Sequence, residues 1–295
     1  MHHLSDRLRV HWDFDDLEAT ERRLRSALAE EGSDEGRAEV LTQLARVEGL
    51  RGDFETGDQL VRQAEALASE SPVARARIDL ERGRLQRSSG NPEAACPLFE
   101  SAYATACRAG LWFLAADAAH MVALASSDRA AFVEWTRKGV DLAEAHEEAA
   151  YWSGPLLNNL GWEYYEAGEF GHALEAFERA LRARELTPAD GDGIALARYA
   201  VGKALRGLGR SEEAIPLLER AVGWAHEVGR PDGWFHEELA EEYAAVGRSE
   251  DAREQALLAL PLLEEADSAF AEDVGRASRL RALAGVEGPR TPEAT

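Results

Sequence analysis

Residues 157–180, which read LNNLGWEYYEAGEFGHALEAFERA, decide the fold of this chain. Small and apolar residues recur there at spacings of three and four, which places them on one face of a helix on each side of Gly168. Weaker copies of the same pattern recur about every forty residues along the chain. The sequence therefore predicts a repeat protein built from helical hairpins.

Glycine marks the turn inside each predicted hairpin, because that turn needs a residue that tolerates positive φ. The turn glycines are Gly52, Gly90, Gly168, Gly209 and Gly247. The gap between Gly90 and Gly168 is close to two periods, which predicts one further hairpin with Asp128 in place of the glycine. A small residue in the first helix lets the two helices of a hairpin cross closely. These crossing residues are Ala45, Gly83, Gly161, Gly202 and Ala240, with Ala119 in the hidden copy.

These columns resemble the tetratricopeptide repeat, and the resemblance covers residues 37 to about 265. The copy at 155–188 matches best. The long period, the Asn158-Asn159 pair and the proline early in second helices are similar to the repeats of kinesin light chain and of bacterial regulator domains. The resemblance implies an all-α, right-handed superhelical solenoid of antiparallel helix pairs.

The domain organisation follows from these borders. We expect one elongated domain of six hairpins at 37–265, preceded by a segment at 1–36 that contains a capping helix. A second capping helix is predicted at 266–285, with Phe270, Val274, Ala277 and Leu280 on its apolar stripe. Residues 286–295 are predicted to be a disordered tail. A poor N-terminal cap would leave an apolar face, through which a homodimer could form.

The charge balance excludes several classes of partner. Lys and Arg total 33 against 55 Asp and Glu, a formal net charge of −22. Such a chain repels nucleic acid and anionic membrane surfaces. The charged N-terminus lacks the apolar core of a signal peptide, so the cytoplasm is the expected compartment.

The resemblance also predicts a binding groove. In this family the first helix of each hairpin lines the inner surface, and ligands contact residues one position round from the packing stripe. That phase selects basic and aromatic residues in an acidic chain. The predicted groove residues are Arg46, Arg84, Arg87, Asn158, Asn159, Trp162, Tyr165, Tyr199, Lys203 and Arg206. The asparagine pair matches the pair that holds the peptide main chain in kinesin-light-chain-like repeats.

A simpler interpretation of the arginines stands beside this one. Arg84 and Arg87 could pair with Glu81 or with acids of the next repeat, as charged residues on helix faces commonly do. The groove, if its cations are available, favours an acidic or carboxylate-bearing partner, because the arginine fork matches a carboxylate.

Three functions remain open. The first is an adaptor or regulator that binds an extended or acidic peptide segment of another protein. The second is a module that senses a small ligand or a signal peptide. The third is an enzyme built on the solenoid, which no catalytic motif supports. No cofactor is expected. The segment from His11 to Asp16 could supply metal ligands, but it is better explained as the start of a helix, and no metal site is predicted.

Overall fold

The computed structural model describes residues 6–186 and 191–286. In these ranges every regular element is helical, and the predicted all-α fold of paired helices is confirmed. Contacts within the chain divide it into two units, Met1–Leu156 and Leu157–Thr295. No helix among the described residues has the length and the apolar run that a membrane crossing requires.

The first unit contains three complete hairpins behind a capping helix. A short 3-10 helix at Arg9–His11 precedes α1, and another at Glu147–Trp152 leads into α8. The helices are α1 (Leu17–Glu30), α2 (Asp34–Arg51), α3 (Phe54–Leu67), α4 (Pro72–Ser88), α5 (Pro92–Ala109), α6 (Trp112–Ala125) and α7 (Arg129–Ala145).

Helix α8 (Ser153–Glu166) crosses the boundary at Leu156, and the second unit continues from it with three hairpins and a terminal helix. Its other helices are α9 (Phe170–Glu185), α10 (Gly191–Gly207), α11 (Ser211–Glu227), α12 (Gly233–Ala245), α13 (Ser249–Ala266) and α14 (Val274–Ala284).

The turns follow the predicted register. All five turn glycines have positive φ, with Gly168 at 74° and Gly209 at 69°. The hidden third hairpin is α6 with α7, and its turn uses Asp128 instead of glycine. The Asp128 side chain accepts a hydrogen bond from the Ala131 amide, which caps α7.

The crossing residues are small because the second helix places a bulky side chain against them. A Cβ atom on Gly83 would lie 2.4 Å from the Phe99 ring, and one on Gly161 would lie 2.3 Å from Phe177. Both phenylalanines are fully buried. The contact between a glycine and a buried ring therefore fixes how these two hairpins close.

The terminal helices differ in part from the expectation. Asp16 caps α1 by accepting a hydrogen bond from the Ala19 amide at 2.7 Å, as a helix start requires. At the other end Phe270 and Leu280 are buried, but α14 begins only at Val274, and the Val274 side chain is exposed. Apart from Val286, the predicted tail lies outside the described residues.

Candidate functional site

Three predicted groove residues of the second unit form a cluster of rings on the first helices α8 and α10. Trp162 lies 5.4 Å from Tyr165 and 6.4 Å from Tyr199, measured between ring centroids. Trp162 also packs edge-on against the buried Phe177 ring at 5.1 Å, so one side of the indole belongs to the core. The three rings are half-buried. They therefore form a fixed platform with one accessible side.

Two predicted cations stand beside these rings and share one carboxylate. Lys203 Nζ lies 3.1 Å from Glu238 Oε2, and Arg206 Nε donates to Glu238 Oε1 at 2.6 Å. Glu238 comes from α12, and only 3% of its side chain is exposed. Burial opposes the charge on Arg206, yet Glu238 raises the pKa of the guanidinium above its ordinary value. Two positive charges thus meet one negative charge.

Two other acids of α12, Glu237 and Glu241, have partners of their own, whereas Glu242 is fully buried and burial raises its pKa. Glu237 pairs with Arg276 of α14, with Nε to Oε1 at 2.7 Å. Glu241 pairs with Arg279 of the same helix at 3.2 Å. Their charges are therefore balanced without Lys203 or Arg206.

The two asparagines lie half-buried on α8. Asn159 interacts with a neighbour, whereas Asn158 has no side-chain hydrogen bond within the described residues. Asn158 therefore keeps both a donor and an acceptor available beside the ring platform.

In the first unit, Arg84 has the partners that the simpler interpretation anticipated. Its guanidinium donates to Glu81 of its own helix and to Asp117 Oδ1 of α6, the latter at 2.5 Å. Only 13% of the Arg84 side chain is exposed, and both carboxylates are buried. Burial alone would raise the pKa of Asp117, but the charges of Arg84 and Arg46 lower it by more, so the net shift is downward. Arg84 is a structural cation here.

The remaining two arginines of that prediction lie in different surroundings. Arg87 is exposed and donates to the Leu124 carbonyl at 3.3 Å. The Arg46 guanidinium lies over two rings of the N-terminal segment, 5.1 Å from the Trp12 centroid and 5.5 Å from that of Phe14. Within the described chain no carboxylate lies at salt-bridge distance from Arg46.

One rule of register explains these partners. The cations stand one position after the crossing residue, at Arg46, Arg84 and Lys203, and the acids stand two positions before it, at Glu81, Asp117 and Glu238. We call these sets the cation column and the acid column. Arg84 reaches the acid of its own hairpin and that of the next, whereas Lys203 reaches only the next because Ala200 holds the place in its own. The acid column was missed from the sequence, although its spacing was readable.

No group of three or more His, Cys, Asp or Glu side chains within 6–186 and 191–286 is arranged to hold a metal ion. The segment from His11 to Asp16 instead supplies the cap of α1 and the two rings under Arg46. What the described site offers is hydrogen bonds, ring faces and charge.

Comparison with known proteins agrees with the register. The tetratricopeptide repeat family profiles match residues 154–185 and 195–226. The fold is similar to that of the signal transduction ATPase with a tetratricopeptide repeat sensor from Pyrococcus horikoshii, at 17% identity and a TM-score of 0.70. That match covers 95% of this chain and 44% of the ATPase chain. Apo RapI matches at 12% identity and a TM-score of 0.65, over 91% of this chain and 75% of its own.

A search of curated protein sequences gave no significant match. The profile matches fall on the fourth and fifth hairpins, where the sequence pattern is most complete. Together with the paired helices and the positive-φ turns, they show that this chain contains tetratricopeptide repeats at 154–185 and 195–226.

Proposed function

We propose that this chain is a protein-interaction scaffold that binds an extended, carboxylate-bearing peptide segment through the second unit. The surface that carries the proposal is the basic-aromatic stripe, defined as Asn158, Trp162, Tyr165, Tyr199, Lys203 and Arg206. Tetratricopeptide repeats fit a scaffold of this kind, since stacked hairpins present extended surfaces.

The observation that carries the proposal is the unequal charge count at the stripe. Lys203 and Arg206 supply two positive charges, and Glu238 supplies the one negative charge that they share. Glu237 and Glu241 are balanced by α14, and burial raises the pKa of the nearby Glu242, which favours its uncharged form. The stripe therefore keeps a net charge of about +1 in a chain of net −22. A peptide carboxylate would complete the pairing.

The rings and the amide supply the other parts of peptide recognition. Tyrosine and tryptophan give contact area at low entropic cost, and here their positions are already fixed by packing. Burial and the Glu238 carboxylate raise the pKa of Tyr199, so its hydroxyl stays protonated. Asn158 can donate to and accept from an extended main chain.

The test begins with a random peptide library selected on the wild-type protein. We expect the enriched peptides to contain Asp or Glu next to aromatic or apolar residues, and to bind more weakly as ionic strength rises. Arg206→Ala should weaken the best peptide at least tenfold, measured by fluorescence anisotropy. Replacing the acids of that peptide with amides should cause a similar loss, and the two losses should not add.

The matched control is Arg182→Ala, which removes the same charge from an exposed position on the second helix α9. It should leave the affinity unchanged. Enriched peptides without acids, or equal losses from Arg182→Ala and Arg206→Ala, would contradict the proposal.

A second candidate is a ligand-sensing regulatory module. It is favoured by a cavity in the first unit, which is lined by aromatic rings and by Arg46.

A further inference from the structure

A cavity of about 240 Å³ lies in the first unit, between the first helices of three hairpins and two flanking segments. Helices α2, α4 and α6 form its floor. The N-terminal segment around Trp12 and the residues around Trp152 close it from the sides. We call it the N-terminal cavity. Every side chain that lines it belongs to residues 6–155, so it is complete within this unit.

Aromatic rings form much of its wall. Trp12 and Phe14 are stacked, with centroids 4.9 Å apart and planes at 18°. On the other side Phe113 lies 5.7 Å from Trp152 and 6.1 Å from Tyr151. Flat apolar walls of this kind favour a flat apolar occupant.

Three polar groups at this wall have hydrogen-bonding capacity that the protein leaves unused. Trp152 is 8% exposed, and its Nε1 atom is buried without an acceptor. Glu81 is 2% exposed. Its Oε1 accepts from Arg84, but its Oε2 is buried without a donor. Each such group costs free energy until a partner arrives.

The third group is the Arg46 guanidinium. Burial and the nearby Arg84 lower the pKa of Arg46, although an arginine keeps its charge. Among the described residues, the only ring, ionic or hydrogen-bonding partners of Arg46 are the faces of Trp12 and Phe14. Gln43 stands where the acid column would place a carboxylate in the same hairpin. Glu81, the acid of the next hairpin, pairs with Arg84 and lies beyond salt-bridge distance from Arg46. A partly buried cation with up to five donors invites a bidentate anion.

The volume sets the size of the occupant. A dry cavity of roughly 150 Å³ in another protein holds benzene. A space of 240 Å³ therefore accepts one ring with a carboxylate and a further small substituent.

We propose that the N-terminal cavity binds a small aromatic carboxylate with a single ring that also carries an O–H or N–H donor. The carboxylate pairs with Arg46, and the donor bonds to Glu81 Oε2. The ring lies against the aromatic walls beside Arg9, whose guanidinium stands 5.2 Å from the Phe14 centroid and 4.8 Å from that of Tyr151. A hydroxyl substituent also accepts from Trp152 Nε1. This site is independent of the basic-aromatic stripe.

The probes are hydroxybenzoates and aminobenzoates with the substituent at each ring position, titrated into the full chain by calorimetry. We expect at least one to bind with a dissociation constant below a millimolar. Its methyl ester, which lacks the charge, and benzoate, which lacks the donor, should each bind at least tenfold more weakly. Arg46→Met should abolish the preference for the acid over the ester.

Two further site variants and one control variant keep the test decisive. Arg46→Lys retains the charge without the fork and should weaken binding severalfold. Trp152→Phe retains the ring without Nε1–H and should weaken hydroxybenzoates more than aminobenzoates, because an aromatic amine is a poor acceptor. Arg182→Met, at an exposed position on α9, should leave the affinity for the best probe unchanged. No binding by any probe to the folded wild-type chain, or full binding by folded Arg46→Met, would overturn the proposal.

Discussion

The two units use the same repeat register with opposite charge ratios. In the second unit two cations, Lys203 and Arg206, share one buried carboxylate, whereas in the first unit one cation, Arg84, is shared by two. Arg84 and Lys203 hold the same place in their hairpins. The difference shows that a cation at this place becomes structural or available according to how many acid-column positions in reach are filled.

The largest expected effect is on stability and compares Arg84→Met with Lys203→Met. Removing Arg84 leaves Glu81 and Asp117 buried without their cation, which should cost about 3–5 kcal/mol of unfolding free energy. Removing Lys203 leaves Glu238 with Arg206, so the cost should be about 1 kcal/mol or less. Urea denaturation followed by circular dichroism measures both.

Arg182→Met supplies the baseline for an exposed arginine. Equal losses for Arg84→Met and Lys203→Met would remove the distinction between a structural and an available cation.

The sequence predicted part of this contrast, namely the positions where local backbone or packing geometry restricts the residue type. The turn glycines were predictable because few other residues adopt a positive φ. The crossing residues were predictable because a Cβ atom there, as at Gly161, would lie only 2.3 Å from a ring. The predicted groove cations followed from the family resemblance, with the helical period giving their phase. Their counter-ions did not, because Asp117 and Glu238 come from the next hairpin, and pairing across hairpins depends on how far one helix is displaced along its neighbour.

The N-terminal cavity was harder still to predict. Trp12 and Phe14 lie in a segment without the repeat period, so no column places them over Arg46. Their neighbour Asp16 was correctly interpreted as the start of a helix, and that interpretation accounted for the segment without using its rings.

The second prediction concerns pH. His120 occupies the cation-column position of the third hairpin, one residue after Ala119. Trp162 occupies the same position in the fourth hairpin. Burial lowers the pKa of His120 to about 4, with Asp117 opposing and the neighbouring arginines adding to the shift. Between pH 6.5 and about 4 the unfolded chain binds a proton that the folded chain does not, so stability falls as the pH falls. At roughly 1.4 kcal/mol per pKa unit, the loss is about 3 kcal/mol.

His120→Asn should remove that share of the acid loss, while the other histidines act equally in both proteins and cancel in the difference. Denaturation midpoints at a series of pH values give the two slopes. Parallel slopes for wild type and His120→Asn would show that this imidazole titrates normally.

The smallest expected effect is that of Gln43→Glu, which places a carboxylate at the vacant position of the acid column. This prediction rests on the proposed ligand site in the N-terminal cavity. Gln43 already accepts a hydrogen bond from Trp12 Nε1 at 3.0 Å, and a glutamate keeps that acceptor. Its charge would lie three residues before Arg46 on α2, where such pairs form readily. Arg46 would then have an internal counter-ion, and the affinity for the best hydroxybenzoate or aminobenzoate probe should fall about tenfold, or about 1.4 kcal/mol. Gln59→Glu, which adds the same charge at an exposed position on α3, should leave the affinity unchanged. If Gln43→Glu binds the probe as tightly as the wild type does, the vacant acid position is not what leaves Arg46 available, and the rule that separates the two units fails at its first hairpin.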